Sequence, residues 1–149
     1  MIQVRGESTP QPTVGSGSGC GLNVRDFDGV CQVERDDELL ARLRSVRRGI
    51  DGAFILDHGG DESLWVHIRG DAAFLWVCPG TDGKHPGFVP DGMWPGEHQN
   101  VRFLQVSGRE ADAITVLWQQ LVPVETAYRA AVEYLHRRSL PESIRWFEL

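Results

Sequence analysis

The chain has 149 residues, 41 % hydrophobic and 24 % charged, with a formal net charge of −6; that length suits one domain able to bury a real core. No apolar run approaches the ~20 residues needed to cross a bilayer, and no basic stripe suits a nucleic acid. Cys20, Cys31 and Cys78 are odd in number and widely spaced, which speaks against a disulfide scaffold or a zinc ribbon.

The opening MIQVRGESTPQPTVG lacks a basic start followed by an apolar stretch, so a cytoplasmic location is expected. Residues 1–21, with Pro10, Pro12 and the run GSGSGCG, predict a flexible arm. Residues 22–149 are expected to form a single domain. The arm's glycines make no phosphate loop, because no Lys-Ser/Thr follows and no strand precedes. The segment DGVCQVE (28–34) alternates as a short strand. In DDELLARLRSVRRG, Leu39, Leu40, Leu43 and Val46 recur at helical spacing. Asp36 and Asp37 favour the start of that helix, Arg47 and Arg48 suit its end, and Gly49 stops it.

Three strands follow: AFILDH (53–58), SLWVHIR (63–69) and AAFLWVC (72–78). Gly59–Gly60 and Gly70–Asp71 stand between them at hairpin spacing. Trp65, His67 and Arg69 alternate with Leu64, Val66 and Ile68, giving one mixed and one apolar face. Residues 79–100 hold five glycines and four prolines and read as one long loop. Strands are expected at 101–106 and 113–120, and Pro123 suits the first position of a second helix. Val124, Ala127, Tyr128, Ala131, Tyr134 and Leu135 mark its inner face, through Arg138. IRWFEL (144–149) is a final short strand. Strands cluster between helices rather than alternating with them. The expected fold is therefore α+β, with a mainly antiparallel sheet of about five to six strands and two amphipathic helices. The helices should pack through Leu39/Leu40/Leu43 and Ala127/Ala131/Leu135.

The sequence offers little reaction chemistry. The histidines form no HxH or HExxH, and no Gly-x-Ser-x-Gly elbow exists. His58 and His67 are placed to meet across a hairpin, with Asp57 or Asp61 beside them, but a metal is not expected there. Cys78 near His85 is a nucleophile pair only if its surroundings stabilise a thiolate; a buried thiol is the simpler reading. Four of the five tryptophans fall in predicted strands and read as sheet-face or core residues. Trp94 sits in the Gly/Pro loop beside Asp91 and Glu97. It serves either as an interface anchor or as a pin for its own loop. No cofactor is expected.

The negative charge is concentrated. Residues 51–100 hold eight acids against Arg69 and Lys84 alone, whereas the flanking thirds are balanced. Such a face either aids solubility or meets a basic partner.

The ending QQLVPVETAYRAAVEYLHRRSLPESIRWFEL joins Val-Pro to an amphipathic helix with small inward residues and a basic end. Leu140, Pro141, Trp146 and Glu148 follow. This pattern resembles the first-numbered immunity family of bacterial polymorphic toxin systems, which includes the immunity protein of a double-stranded-DNA cytosine deaminase toxin. The likeness extends upstream through the DDELLARL helix and the hydrophobic strands, over about residues 27–149. It implies a non-enzymatic α+β protein, encoded beside a toxin and used in interbacterial competition. It implies one-to-one binding that occludes the toxin's active site. The partner is then a toxin protein, of a class that includes nucleic-acid-targeting deaminases and nucleases, and neither a nucleic acid nor a membrane. Pro141 and Trp146 read as structural in that family.

On this reading the acidic middle third meets the toxin. Asp57, Asp61, Glu62, Asp82, Asp91 and Glu97 would pair with basic groups, and Phe88 and Trp94 would anchor the contact. A small enzyme with a Cys/His/acid pocket and an acidic adaptor are the alternatives.

Overall fold

The computed structural model describes residues 21–80, 85–137 and 139–149. The expected arm lies outside them except for Gly21, as do Cys20, Asp82 and Lys84.

Ten strands and two α-helices are described. Strands β1 (Leu22–Asp26) and β2 (Gly29–Val33) form a hairpin, followed by helix α1 (Asp36–Ser45). The meander β3 (Asp51–Asp57), β4 (Ser63–Arg69) and β5 (Ala72–Cys78) comes next, then β6 (Phe88–Pro90). A ribbon of β7 (Val101–Phe103) and β8 (Ile114–Val116) leads to β9 (Val122–Pro123), α2 (Val124–Arg137) and β10 (Trp146–Glu148). The main sheet has the order β10-β6-β5-β4-β3-β1-β2, with β9 beside β5; its pairings are antiparallel. The fold is α+β with a mainly antiparallel sheet and two helices, and it carries more strands than the sequence suggested.

Each difference from expectation has a local cause. Strand β1 was hidden because its third inward position is Asp26, buried beside Leu22 and Val24, where Arg42 of α1 neutralises it. Helix α1 ends at Ser45 rather than running to Arg48. Arg48 instead exchanges backbone bonds with Asp51, N to O at 2.8 and 3.1 Å. Gly49, at φ +65°, serves that turn, which L-residues enter only with strain. Within the expected loop, β6 pairs with both β5 and β10. The strand expected at 113–120 stops at Val116, and Trp118–Gln120 is a 3-10 turn whose Trp118 N–H is held by Asn100 Oδ1 at 3.0 Å. Pro123 pairs with Ala72 in β9, one residue ahead of α2.

The sheet separates two apolar layers. On one face, Leu39 and Leu43 of α1 and Ala127, Ala131 and Leu135 of α2 pack with Val24, Leu56, Leu64, Val66 and Leu75; Leu40 is only partly buried against the same cluster. Burying each such large aliphatic contributes about 1.5–3 kcal/mol. On the other face, Phe74 and Val89 pack with Phe103 and Val116 of the ribbon. The alternation expected in β4 holds: Leu64, Val66 and Ile68 face the helices, while His67 meets Phe74 and Phe103 on the ribbon side. Among the described residues, no helix is long and apolar enough to cross a membrane.

Candidate interaction surface

The β3–β4 turn carries three of the expected acids. Asp57 Oδ1 accepts bonds from Asn23 Nδ2 at 2.9 Å and from the Gly59 N–H at 2.8 Å, so it shapes the turn. The Tyr134 hydroxyl donates to Glu62 Oε1 at 3.1 Å. Burial first, then the charge of Glu62, pushes that phenol far above its ordinary range. His58 lies against the Tyr134 ring, with Nε2 at 2.7 Å from the Tyr134 carbonyl oxygen. His58, Gly60, Asp61, Glu62 and Tyr134 surround a shallow cavity of about 210 Å³. Asp61 is exposed. Among the described residues, no cation pairs with these three carboxylates.

The other expected contacts are spread out. Phe88 stands opposite Val77 and Glu148 and stacks on His85 at 5.1 Å. Asp91 is exposed, and its carbonyl accepts from Arg145 Nε at 2.9 Å. Trp94 is half-buried on the ribbon-side core and meets His98 edge-on at 4.8 Å; it pins its own loop. Glu97 is exposed. Its neighbours His98, Gln99 and Asn100 line a cleft of about 340 Å³ with Arg69 and Gly70, at the end of β4 away from Ser63. Thus Asp57, Asp61 and Glu62 come together at one end of the sheet, and Glu97 sits toward the other. Asp82 lies outside the described residues.

The reactive side chains are occupied elsewhere. His58 contacts α2, whereas His67 faces the ribbon, so the two do not meet across the hairpin. Burial holds the His67 imidazole down at about 4 and raises the Cys78 thiol to about 11. His85 accepts the Gly87 N–H on Nδ1 at 2.9 Å, so its Nε2 carries the proton and donates to Glu148 at 2.7 Å. Neither nitrogen is left for a thiol. Among the described residues, no group of three or more potential ligands gathers to hold a metal.

A feature missed by the sequence reading crosses the ribbon side of the sheet. The register places Val30, Arg25, Ile55, Trp65 and Trp76 in one line across β2, β1, β3, β4 and β5. One step along from the Val77–Phe88 pair, the line continues through Val89 to Phe147 on β10. Trp65 and Trp76 touch at the centre, ring centroids 5.2 Å apart. The ribbon covers the adjacent line at His67 and Phe74, and the ribbon-side core buries Val89 within this line, while Val30 is 60 % and Phe147 53 % exposed. On the other side runs a polar line, Gln32, Asn23, Asp57, Ser63 and Cys78. A Cβ on Gly87 would stand 2.3 Å from the Val77 oxygen and 2.6 Å from Trp76 Nε1, so only glycine lets this segment approach Trp76. The sequence placed Val30, Ile55, Trp65, Trp76 and Phe147 in strands but left Arg25 and Val89 outside any. Only the pairing register reveals that they align.

Leu140, Pro141, Trp146 and Glu148 build the sheet's β10 edge. Trp146 Nε1 donates to the Pro141 carbonyl at 2.9 Å, and Leu140 and Trp146 pack on the helix-side core. In comparisons with known proteins, no family model matches the chain, and no curated protein matches it significantly.

Proposed function

We propose that this chain is a cytoplasmic, non-catalytic immunity protein that binds a toxin one-to-one and occludes its active site. The observation that carries the reading is the acid-rich β3–β4 turn. Asp57, Asp61 and Glu62 gather there without a cationic partner among the described residues, on the rim of a rigid sheet. Such a rim suits a basic surface, including the surfaces with which toxins hold nucleic acid. The resemblance of about residues 27–149 to the immunity family supplies the partner class. Asp91 and Glu97, further away, add long-range attraction rather than contact. A raised Cys78 pKa and a fully engaged His85 favour binding over nucleophilic chemistry.

The test is co-expression with the product of the adjacent toxin gene. Growth should be rescued and the two proteins should co-purify. Equal killing with and without this chain would overturn the proposal.

A further inference from the structure

Resting on that reading, we infer that the open edge of β2 receives a strand of the toxin, and that the segment it takes is extended and basic. β2 ends the sheet, with β1 as its sole strand partner among the described residues. The two-residue turn Phe27–Asp28 closes on the Asp26–Gly29 pair, which therefore exchanges both backbone bonds, and the pattern alternates along the hairpin. Cys31 and Val33 then bond to β1, while the N–H and C=O groups of Val30 and Gln32 point away from it. Glu34 comes next in that outward series, and there the Glu38 carboxylate takes the N–H at 3.0 Å and caps the edge. Edge strands are commonly blunted by charge or proline. β2 reads Gly-Val-Cys-Gln-Val and carries neither, and its Val30 is exposed. At the opposite edge β10 has three residues, and Glu148 among them is tied to His85 at 2.7 Å.

Charge selects the occupant. Residues 28–38 hold five acids, Asp28, Glu34, Asp36, Asp37 and Glu38, against Arg35; counting Arg25, which stands opposite Val30 in the hairpin, leaves five acids against two bases. Asp28 and Glu34, at the two ends of β2, are exposed and pair with no cation among the described residues. They lie six residues apart, about 20 Å along a strand. A segment with Lys or Arg on either side of an apolar residue meets both carboxylates, covers Val30 and pairs its backbone with the outward groups. Two copies of β2 paired antiparallel about Cys31 would instead set Asp28 against Glu34, like charges directly opposite. The edge adjoins the acid-rich β3–β4 turn, since Gln32, Asn23 and Asp57 stand in one row across β2, β1 and β3.

The experiment uses the full chain and the purified product of the adjacent toxin gene. Gln32→Pro deletes an outward N–H that β1 does not use, a change an edge strand tolerates, whereas Gln32→Thr alters the side chain and keeps the donor. We expect at least about tenfold weaker binding for Gln32→Pro and a change within about twofold for Gln32→Thr. Hydrogen exchange on the wild type gives a second reading that needs no variant: the Val30 and Gln32 amides should exchange at least about tenfold more slowly in the complex than in the free chain. Asp28→Asn with Glu34→Gln should slow association at low salt. Wild-type affinity for Gln32→Pro, with both amides exchanging as fast in the complex as in the free chain, would overturn strand addition while leaving toxin binding intact. Equal weakening by Gln32→Pro and Gln32→Thr would also overturn it, because a side-chain contact does not need the N–H. An unchanged association rate for the double variant would overturn the basic occupant. Amides already protected in the free chain until residues 1–20 are removed would make that segment the occupant, and self-association abolished by Gln32→Pro would make it a second copy; either result overturns the inference. No binding by the wild type would overturn the immunity reading itself, and this inference with it.

Discussion

Arg42 grips Asp26 with two nitrogens: Nε stands 2.7 Å from Oδ2 and Nη2 3.1 Å from Oδ1. The Asp26 side chain is fully buried, while that of Arg42 is 30 % exposed. The pair ties α1 to β1, and Asp26 Oδ1 also accepts the Asp28 N–H at 3.0 Å in the β1–β2 turn. Removing one partner strands a buried charge. Arg42→Met should therefore cost about 3 kcal/mol, and the double change Arg42→Met/Asp26→Leu less than the single changes combined. Urea unfolding of the four-member cycle measures both.

The same pair explains why part of the fold escaped the sequence. Helices and the β3–β5 meander announce themselves through apolar spacing, and Leu39, Leu43, Leu64 and Val66 are buried where periodicity placed them. Strand β1 does not, because its inward Asp26 breaks the apolar alternation and is intelligible only once Arg42 is beside it. Strand β6 has three residues, and its identity depends on partners distant in sequence, Val77 and Phe147. The acids of the candidate surface were legible as composition. Their separation into a turn cluster and a distant Glu97 depends on where the 91–100 segment travels.

His67 makes stability pH-dependent. Burial lowers its pKa from 6.5 in the unfolded chain to about 4 when folded. Between these values the unfolded state binds a proton that the folded state refuses. Stability is therefore unaffected above pH 6.5 and falls as pH drops toward 4. At pH 4.5 the loss should reach about 2–3 kcal/mol, since each pKa unit is worth a little over 1 kcal/mol. Denaturation midpoints at pH 7 and 4.5 should separate accordingly. His67→Leu should remove most of that separation; an unchanged separation would contradict this assignment.

Cys78 should be a slow nucleophile. With its thiol raised to about 11 by burial, the thiolate fraction at pH 7.5 is on the order of 10⁻⁴, against about 0.1 for a free cysteine. In a Cys20→Ser/Cys31→Ser background, alkylation of Cys78 should run at least about a hundredfold slower than in the urea-unfolded chain. Cys78→Ser should retain full protection against the toxin. Rapid alkylation or lost protection would revive a role for this thiol.

Charge should govern encounter more than residence. Converting Asp61→Asn, Asp91→Asn and Glu97→Gln together removes three exposed acids. The association rate at low salt should fall by about tenfold, with a weaker dependence on ionic strength. The dissociation rate should change less, because Asp91 and Glu97 lie away from the acid-rich β3–β4 turn. Stopped-flow association from low to high salt reads both effects.

The most direct test is a titration of toxin activity. Increasing amounts of the purified chain are mixed with the adjacent gene's toxin, and its reaction on its own substrate is followed. Blocking by occupancy predicts a linear loss of activity that ends at one chain per toxin, is complete on mixing and is reversed when the partners are separated. Progressive inactivation by a small fraction of an equivalent, persisting after this chain is removed, would mean that it modifies the toxin chemically and would contradict the account.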